Sequence, residues 1–272
     1  MKPMAHPIYT LHRGTAPLLI SMPHVGTHIP ASLLQRMNPV ATQLDDTDWH
    51  LPQLYDFARE LGASILIAQH SRYVIDLNRP PDNANLYPGQ DTTSLCPIDT
   101  FAKSPLYLAG QAPDTAEIAE RVTTYWQPYH QALQAELARL KAEHGIALLW
   151  DAHSIRSEVP RFFDGRLPDF NLGSANGSSC AAGLGEQLLA AAQRHPDYSA
   201  VLNGRFKGGY ITRAYGAPAD DIHAIQLELS LPTYMAEKPP YAFDDNLAGQ
   251  VRPVIRDLLQ EMLDWASTRR SS

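Results

Sequence analysis

Five consecutive apolar residues, Ile146 to Trp150, run directly into Asp151, His153, Ser154 and Arg156. An apolar run of that length is enough for one buried strand and too short for a helix. A buried strand that delivers polar groups at its C-terminal end is how open α/β sheets build sites, because ligands bind beyond the carboxyl edge of the strands. His153 at such an edge has two readings. It is a metal ligand with Asp151 behind it, or it is a histidine that hydrogen-bonds near a strand end, and taken alone the stretch leaves both open.

A second stretch repeats the pattern. Ala16 to Met22 reads as a buried strand that discharges into Pro23-His24-Val25-Gly26-Thr27-His28-Ile29-Pro30. Gly26 permits tight backbone geometry and Pro30 stops any continuation. Two buried strands that each present a histidine at one end favour the metal reading. His24 and His28 are not a zincin pair, since no Glu follows His24. Asp45, Asp46 and Asp48 precede an apolar pattern, Trp49 to Leu61, with helical spacing. Asp46 or Thr47 would cap that helix, and the acidic cluster then serves capping and the helix dipole. In the alternative, one Asp joins His24 and His153, and two His with one carboxylate is a common catalytic zinc set.

Ala63 to Ala68 reads as a third buried strand and Arg72 to Asp76 as a fourth, ending at Asn78-Arg79-Pro80-Pro81. Arg72 and Arg79 bracket it, either as carboxylate-binding groups facing one crevice or as surface ion-pair partners. Residues 82–113 lack periodicity and read as a functional loop or lid. A long amphipathic helix is expected over 114–144, capped by Asp114, kinked or divided at Pro128 and closed by Gly145. His130 and His144 are expected on its solvated face or at an end. An irregular stretch is expected over 158–179, a small-residue helix over 181–195 and a short strand over 198–202. The glycine-rich loop Asn203 to Arg213 follows. Its Lys207 and Arg213 belong to a solvated loop or, for Arg213, to a substrate contact. It is not a P-loop, since no GKS or GKT ends it. Residues 224–231 alternate as a strand, with Glu228 facing either solvent on an edge or a site as general base. A final amphipathic helix covers 244–266, and the tail after it is polar.

Composition narrows the partners. The 272 residues are 44% hydrophobic and 19% charged, with a net charge of −7. That is the profile of a soluble globular chain whose partners are neither nucleic acid nor an acidic membrane. The two cysteines, Cys96 and Cys180, form no framework, and the N-terminus carries no apolar signal segment, so a cytoplasmic location is expected. No apolar run approaches the roughly 20 residues that span a bilayer. There is no GxSxG elbow and neither cysteine lies in a loop with a matching histidine, which argues against a serine or cysteine nucleophile.

The segments SMPHVGTHIP, DTDWH, RYVIDLNR, WDAHS, NGRFKGGYITRAYG and HAIQLELS, in this order between Ser21 and Ser230, resemble the N-formylglutamate amidohydrolase family. The resemblance implies one domain over residues 1–272 with a three-layer, zinc-carboxypeptidase-like (phosphorylase/hydrolase-like) α/β fold and a central mixed sheet. It implies zinc-dependent hydrolysis of N-formyl-L-glutamate to glutamate and formate, the last step of one route of histidine degradation. It implies one Zn²⁺ per chain (or another divalent metal) on His24, Asp48 and His153, with Asp48 chosen because it stands where the family's Asp precedes the helix. Glu228 is then general base and acid, and Asp151 orients His153. Arg72, Arg79 and Arg213 become candidates for gripping the two carboxylates of a dianionic N-acyl amino acid, and Asn78, Asn203 and Thr212 for its amide and α-substituents. The chain is expected as a monomer or weak homo-oligomer. The rivals are a related zinc deacylase or carboxypeptidase acting on another N-acyl amino acid, and a non-catalytic small-molecule binding protein.

Overall fold

The computed structural model describes residues 6–86 and 89–270. The central apolar run is part of a strand, Ala147–Ile155, of which all nine residues are buried. The strand therefore continues through Asp151, His153 and Ser154, so these side chains project from the sheet itself and not from a loop after it. The strands are β1 (Tyr9–His12), β2 (Leu18–Met22), β3 (Ser64–Ala68), β4 (Ala147–Ile155), β5 (Phe170–Gly173), β6 (Ala200–Leu202) and β7 (Ile222–Ser230). They form one sheet in the order β1-β3-β2-β4-β7-β5-β6. β2, β3, β4 and β7 pair in parallel, and β1 and β5 run antiparallel to their neighbours β3 and β7. The expected mixed α/β sheet is present.

Helices cover both faces. The side chains of Leu18, Ile20, Leu148, Trp150, Ile225 and Leu227 pack with the helices Leu184–Gln193 and Asp245–Arg270. The alternate residues, Leu19, Ala147, Leu149 and Ala224, pack under the helix Gln127–His144. Strand alternation extends this second face past the end of the helix's apolar contacts, to Asp151 and His153 on β4 and to Gln226 and Glu228 on β7. No helix among the described residues is long and apolar enough to cross a membrane.

Several local expectations are corrected. Arg72 to Asp76 is a turn and not a strand: Tyr73 and Val74 enter one apolar cluster and Ile75 another. The helix expected from Trp49 is reduced to Leu51–Leu54 followed by a 3₁₀ turn, Asp56–Arg59. It starts after His50, in the left-handed region at φ 62°, with no side-chain cap. Strands β1 and β5 were not anticipated. Both are four residues long, and β5 lies inside the stretch expected to be irregular. The glycine-rich loop ends in a short helix, Tyr210–Tyr215.

The long helix is divided as its proline predicts. Thr115–Arg121, capped by Asp114, gives way to a π-helical turn, Val122–Trp126, immediately before Gln127–His144. Gly145 closes it at φ 77°. His130, however, is buried rather than solvated. Its ring stacks on Trp126 and Tyr215, and Nε2 donates to the Leu77 carbonyl 2.9 Å away while Nδ1 accepts from the Tyr215 hydroxyl. The helix is thereby tied to the segment that carries Asn78. Burial lowers the His130 pKa to about 4 from its ordinary 6.5. The unfolded chain binds this proton at higher pH than the folded chain, so His130 lowers stability as pH falls from 6.5 through about 4. Urea titrations across that window are expected to show a shallower loss of stability in a His130→Gln variant than in the parent.

Candidate active site

Three distant parts of the chain deliver the predicted ligand set. β2 ends at Met22 and His24 follows two residues later; the His24 carbonyl accepts from the Asp48 amide at 3.0 Å, which fixes the acidic segment beside it. His153 comes from β4. One donor atom from each of His24, Asp48 and His153 lies within 4.8 Å of the others, and all three residues are buried. Asp48 Oδ2 is 3.7 Å from His24 Nδ1 and 3.1 Å from His153 Nδ1. The other two acids point elsewhere: Asp46 accepts from the Phe101 amide and Asp45 from the Tyr241 hydroxyl.

The far side of each imidazole meets a carboxylate. His24 Nε2 is 2.6 Å from Asp76 Oδ1, and His153 Nε2 is 3.2 Å from Asp151 Oδ2. A carboxylate only accepts, so each holds a ring proton on Nε2; with Asp48 Oδ2 as its other neighbour, His153 donates from Nδ1 as well, and a cation between Nδ1 and Asp48 would take that proton's place. Asp151 thus stands behind His153. Asp76 was missed as a site residue. It is held in turn by Arg72 Nη2 at 2.6 Å and the Asn78 amide at 2.9 Å.

Glu228 lies opposite His153 in the β4–β7 register, on a central strand and not an edge. It faces the site, 8% exposed. Burial, opposed in part by His153, pushes its carboxyl up to about 8. Burial lowers His24. Burial acts to raise Asp76, but His24 and Arg72 overcome it and hold the carboxyl well below its ordinary range. For His153 burial acts downward, yet Asp151 and Asp48 outweigh it and raise the ring well above 6.5. The neighbourhood therefore concentrates negative charge around two imidazoles. That donor set fits a divalent cation: three converging N and O atoms, hydrogen-bonded from behind, with acidic excess.

A cavity of about 690 Å³, its mouth included, opens over this group. His24, His153 and Glu228 line it, as do Arg72, Asn78 and Arg79 from the predicted binding residues, and Thr92 and Thr93 from the expected lid segment. Asn78 Nδ2 is 2.9 Å from His153 Nε2. The other three predicted binding residues are placed differently. Thr212 is fully buried and donates to Asp151 Oδ2 at 3.3 Å. Asn203 accepts from the Ser174 amide at 2.9 Å in a left-handed turn, φ 53°. Arg213, on the helix Tyr210–Tyr215, donates from Nε to the Gly208 carbonyl at 2.8 Å. None of the three lines the cavity, whereas Arg205, eight positions before Arg213, does.

The chain matches the N-formylglutamate amidohydrolase family profile over residues 16–235. The chain belongs to this family. N-formylglutamate deformylases from Pseudomonas aeruginosa and Pseudomonas putida are 53% and 51% identical to it, each over 96% of this chain and 98% of the relative. The crystal structure of N-formylglutamate amidohydrolase from Ralstonia eutropha JMP134 superimposes with a TM-score of 0.78 at 25% identity, covering 97% of this chain and 99% of that one. A gene product of Agrobacterium tumefaciens shares the fold, with a TM-score of 0.72 at 17% identity, covering 98% of this chain and 97% of that one.

Two expectations follow for this member of the family. A Cβ on Gly26 would sit 2.3 Å from the His70 carbonyl oxygen and 2.5 Å from the Gln69 carbonyl carbon, backbone atoms with no freedom to turn away. Gly26→Ala is expected to lower stability by about 1–3 kcal/mol in urea unfolding. Asp76→Asn removes the charge behind His24 and is expected to weaken divalent-cation affinity at the His24–Asp48–His153 group about 10- to 100-fold in chelator competition.

Proposed function

We propose that this protein hydrolyses N-formyl-L-glutamate to L-glutamate and formate, with one divalent cation, zinc, held by His24, Asp48 and His153. The carrying observation is that two imidazoles and an aspartate converge beside Glu228 in a cavity that also presents arginines. Relatives at about half identity bear the deformylase name, which supports the substrate. The covered mixed sheet is read as zinc-carboxypeptidase-like, with the site built at the carboxyl ends of β4 and β7 and just past the end of β2. The activity belongs to the end of histidine degradation, in the cytoplasm.

A divalent cation at this position supplies Lewis acidity toward the formyl group. The protein's own side chains do the rest. Glu228, whose anion is disfavoured by burial, takes a proton from the attacking water as the C–O bond forms, and gives it to the amide nitrogen as the C–N bond breaks. Asp76 and Asp151 hold the two imidazoles in the required tautomer. Asn78 is anchored by the Ile211 amide donating to its Oδ1 at 2.8 Å, with its NH₂ group directed at Asp151 Oδ2 at 3.4 Å, which holds the side chain on the cavity wall beside His153, where the amide of the substrate is placed. Arg79 brings positive charge to a substrate carboxylate.

The test is formate release from N-formylglutamate, N-formylaspartate, N-acetylglutamate and N-formylmethionine. N-formylglutamate is expected to be turned over fastest. Chelation should abolish turnover and Zn²⁺ restore it, and Glu228→Gln should lower kcat about 10²- to 10⁴-fold. Full activity after chelation, or tight binding of N-formylglutamate with no formate released, would overturn the reading.

A further inference from the structure

We propose that Arg205 binds the distal, side-chain carboxylate of the substrate, with Arg79 on the α-carboxylate, so that Arg205 sets the preference for dianionic over monoanionic N-formyl amino acids. The proposal rests on the hydrolase reading above and names the part of the site that selects the amino acid.

Three arginines line the cavity, and their surroundings separate their tasks. Arg72 is 9% exposed, donates from Nη2 to Asp76 at 2.6 Å and lies 4.8 Å over the Phe101 ring. Its charge compensates the carboxylate behind His24. Arg79 follows Asn78 directly in the chain, and Asn78 touches His153. Arg79 also reaches Thr93 Oγ1 at 3.3 Å, and its Nε lies 4.0 Å from Asp76 Oδ2, a looser contact than that of Arg72. It therefore enters the cavity next to the reacting end, where the α-carboxylate must lie, because that group hangs from the carbon bonded to the scissile nitrogen.

Arg205 enters from another part of the fold, the loop after β6. That loop is fastened along its length. Asn203 holds the Ser174 amide, the Lys207 carbonyl accepts from the Ala175 amide at 2.6 Å, and the Gly209 amide donates to Gln226 at 2.7 Å. The guanidinium is oriented as well: Nε donates to the Phe162 carbonyl at 2.5 Å, and the group lies 5.3 Å from the Phe206 ring and 5.9 Å from the Phe162 ring. An arginine fixed at Nε and flanked by rings holds its guanidinium in a set plane, which suits a planar carboxylate. Phe101, Phe162 and Phe206 give that end of the cavity an apolar wall for the two methylenes between the carboxylates. Asp91, the acidic residue on the same wall, is compensated by Lys103 at 2.9 Å and Arg161 at 3.1 Å, so the field at that end stays positive.

The experiment compares kcat/KM for N-formylglutamate and its monoanionic isostere N-formylglutamine in the zinc-loaded parent, Arg205→Gln and Arg205→Lys. The ratio of the two values is expected to fall at least 30-fold in Arg205→Gln and to take an intermediate value in Arg205→Lys, which keeps the charge and loses the fork. A parallel calorimetric arm uses glutarate and glutaramate with the same proteins, and Arg205→Gln is expected to lose at least 10-fold in glutarate affinity with little change for glutaramate. An unchanged ratio, or an equal fall on both substrates, overturns the assignment while leaving the hydrolase reading intact. If the parent releases no formate from N-formylglutamate, the hydrolase reading fails, and the glutarate arm still decides whether Arg205 selects the dianion. Should Arg205→Gln not fold, the Lys variant decides alone: parental discrimination in both arms overturns the proposal.

Discussion

The site depends on compensating charge inside a buried volume. Asp48, Asp76, Asp151 and Glu228 gather around two imidazoles and one arginine, each less than a tenth exposed. Desolvating several carboxylates together is prohibitive unless each finds a donor or a cation. The structure meets this need in a chain of contacts: Arg72 to Asp76, Asp76 to His24, His24 across Asp48 to His153, and His153 to Asp151. Removing a link leaves its neighbour as an uncompensated buried group. This is why Arg72, which faces the cavity, is better understood as part of the support of His24 than as a grip on substrate. The same electrostatic excess that makes the cluster costly for the protein alone makes it attractive to a divalent ion.

The sheet arranges this cluster by parity. On β4, Ala147 and Leu149 lie under a helix, and the next two residues of the same parity are Asp151 and His153. β7 runs alongside in parallel and repeats the scheme, with Ala224 covered and Gln226 and Glu228 beyond. One periodicity therefore supplies both core and chemistry, and the division falls where the covering helix ends. The register that pairs His153 with Glu228 also forbids a slip: a shift of one residue would turn Glu228 into the opposite core.

Much of this was legible in the sequence because it rests on short-range signals. β2, β4 and β7 are announced by apolar runs or alternation, and His24, His153 and Glu228 stand at positions those patterns single out. Asp76 was not legible as a site residue, because its role comes from a histidine 52 positions away with which it shares no local pattern. The stretch around it looked like a strand since Tyr73, Val74 and Ile75 are apolar in sequence. They are apolar because the turn feeds two separate cores, which spacing along the chain does not reveal. The placement of the arginines in the glycine-rich loop was not legible for a related reason. A helix begins at Tyr210 and carries Arg213 away from the cavity, while Arg205 stays on its wall. β1 and β5, four residues each, take their identity from their neighbours in the sheet.

The order of the strands along the chain has a consequence for biosynthesis. His24, Asp48 and His153 all precede β7, and the sheet inserts β7 between β4 and β5. A chain emerging from the ribosome therefore contains His24, Asp48 and His153 before it has made Glu228. Until β7 is translated and docks beside β4, the strand that carries His153 lacks one of its two neighbours and the buried cluster lacks its fourth carboxylate. The polar pocket at the centre of the sheet is closed by the last of the sheet's strands to be synthesised.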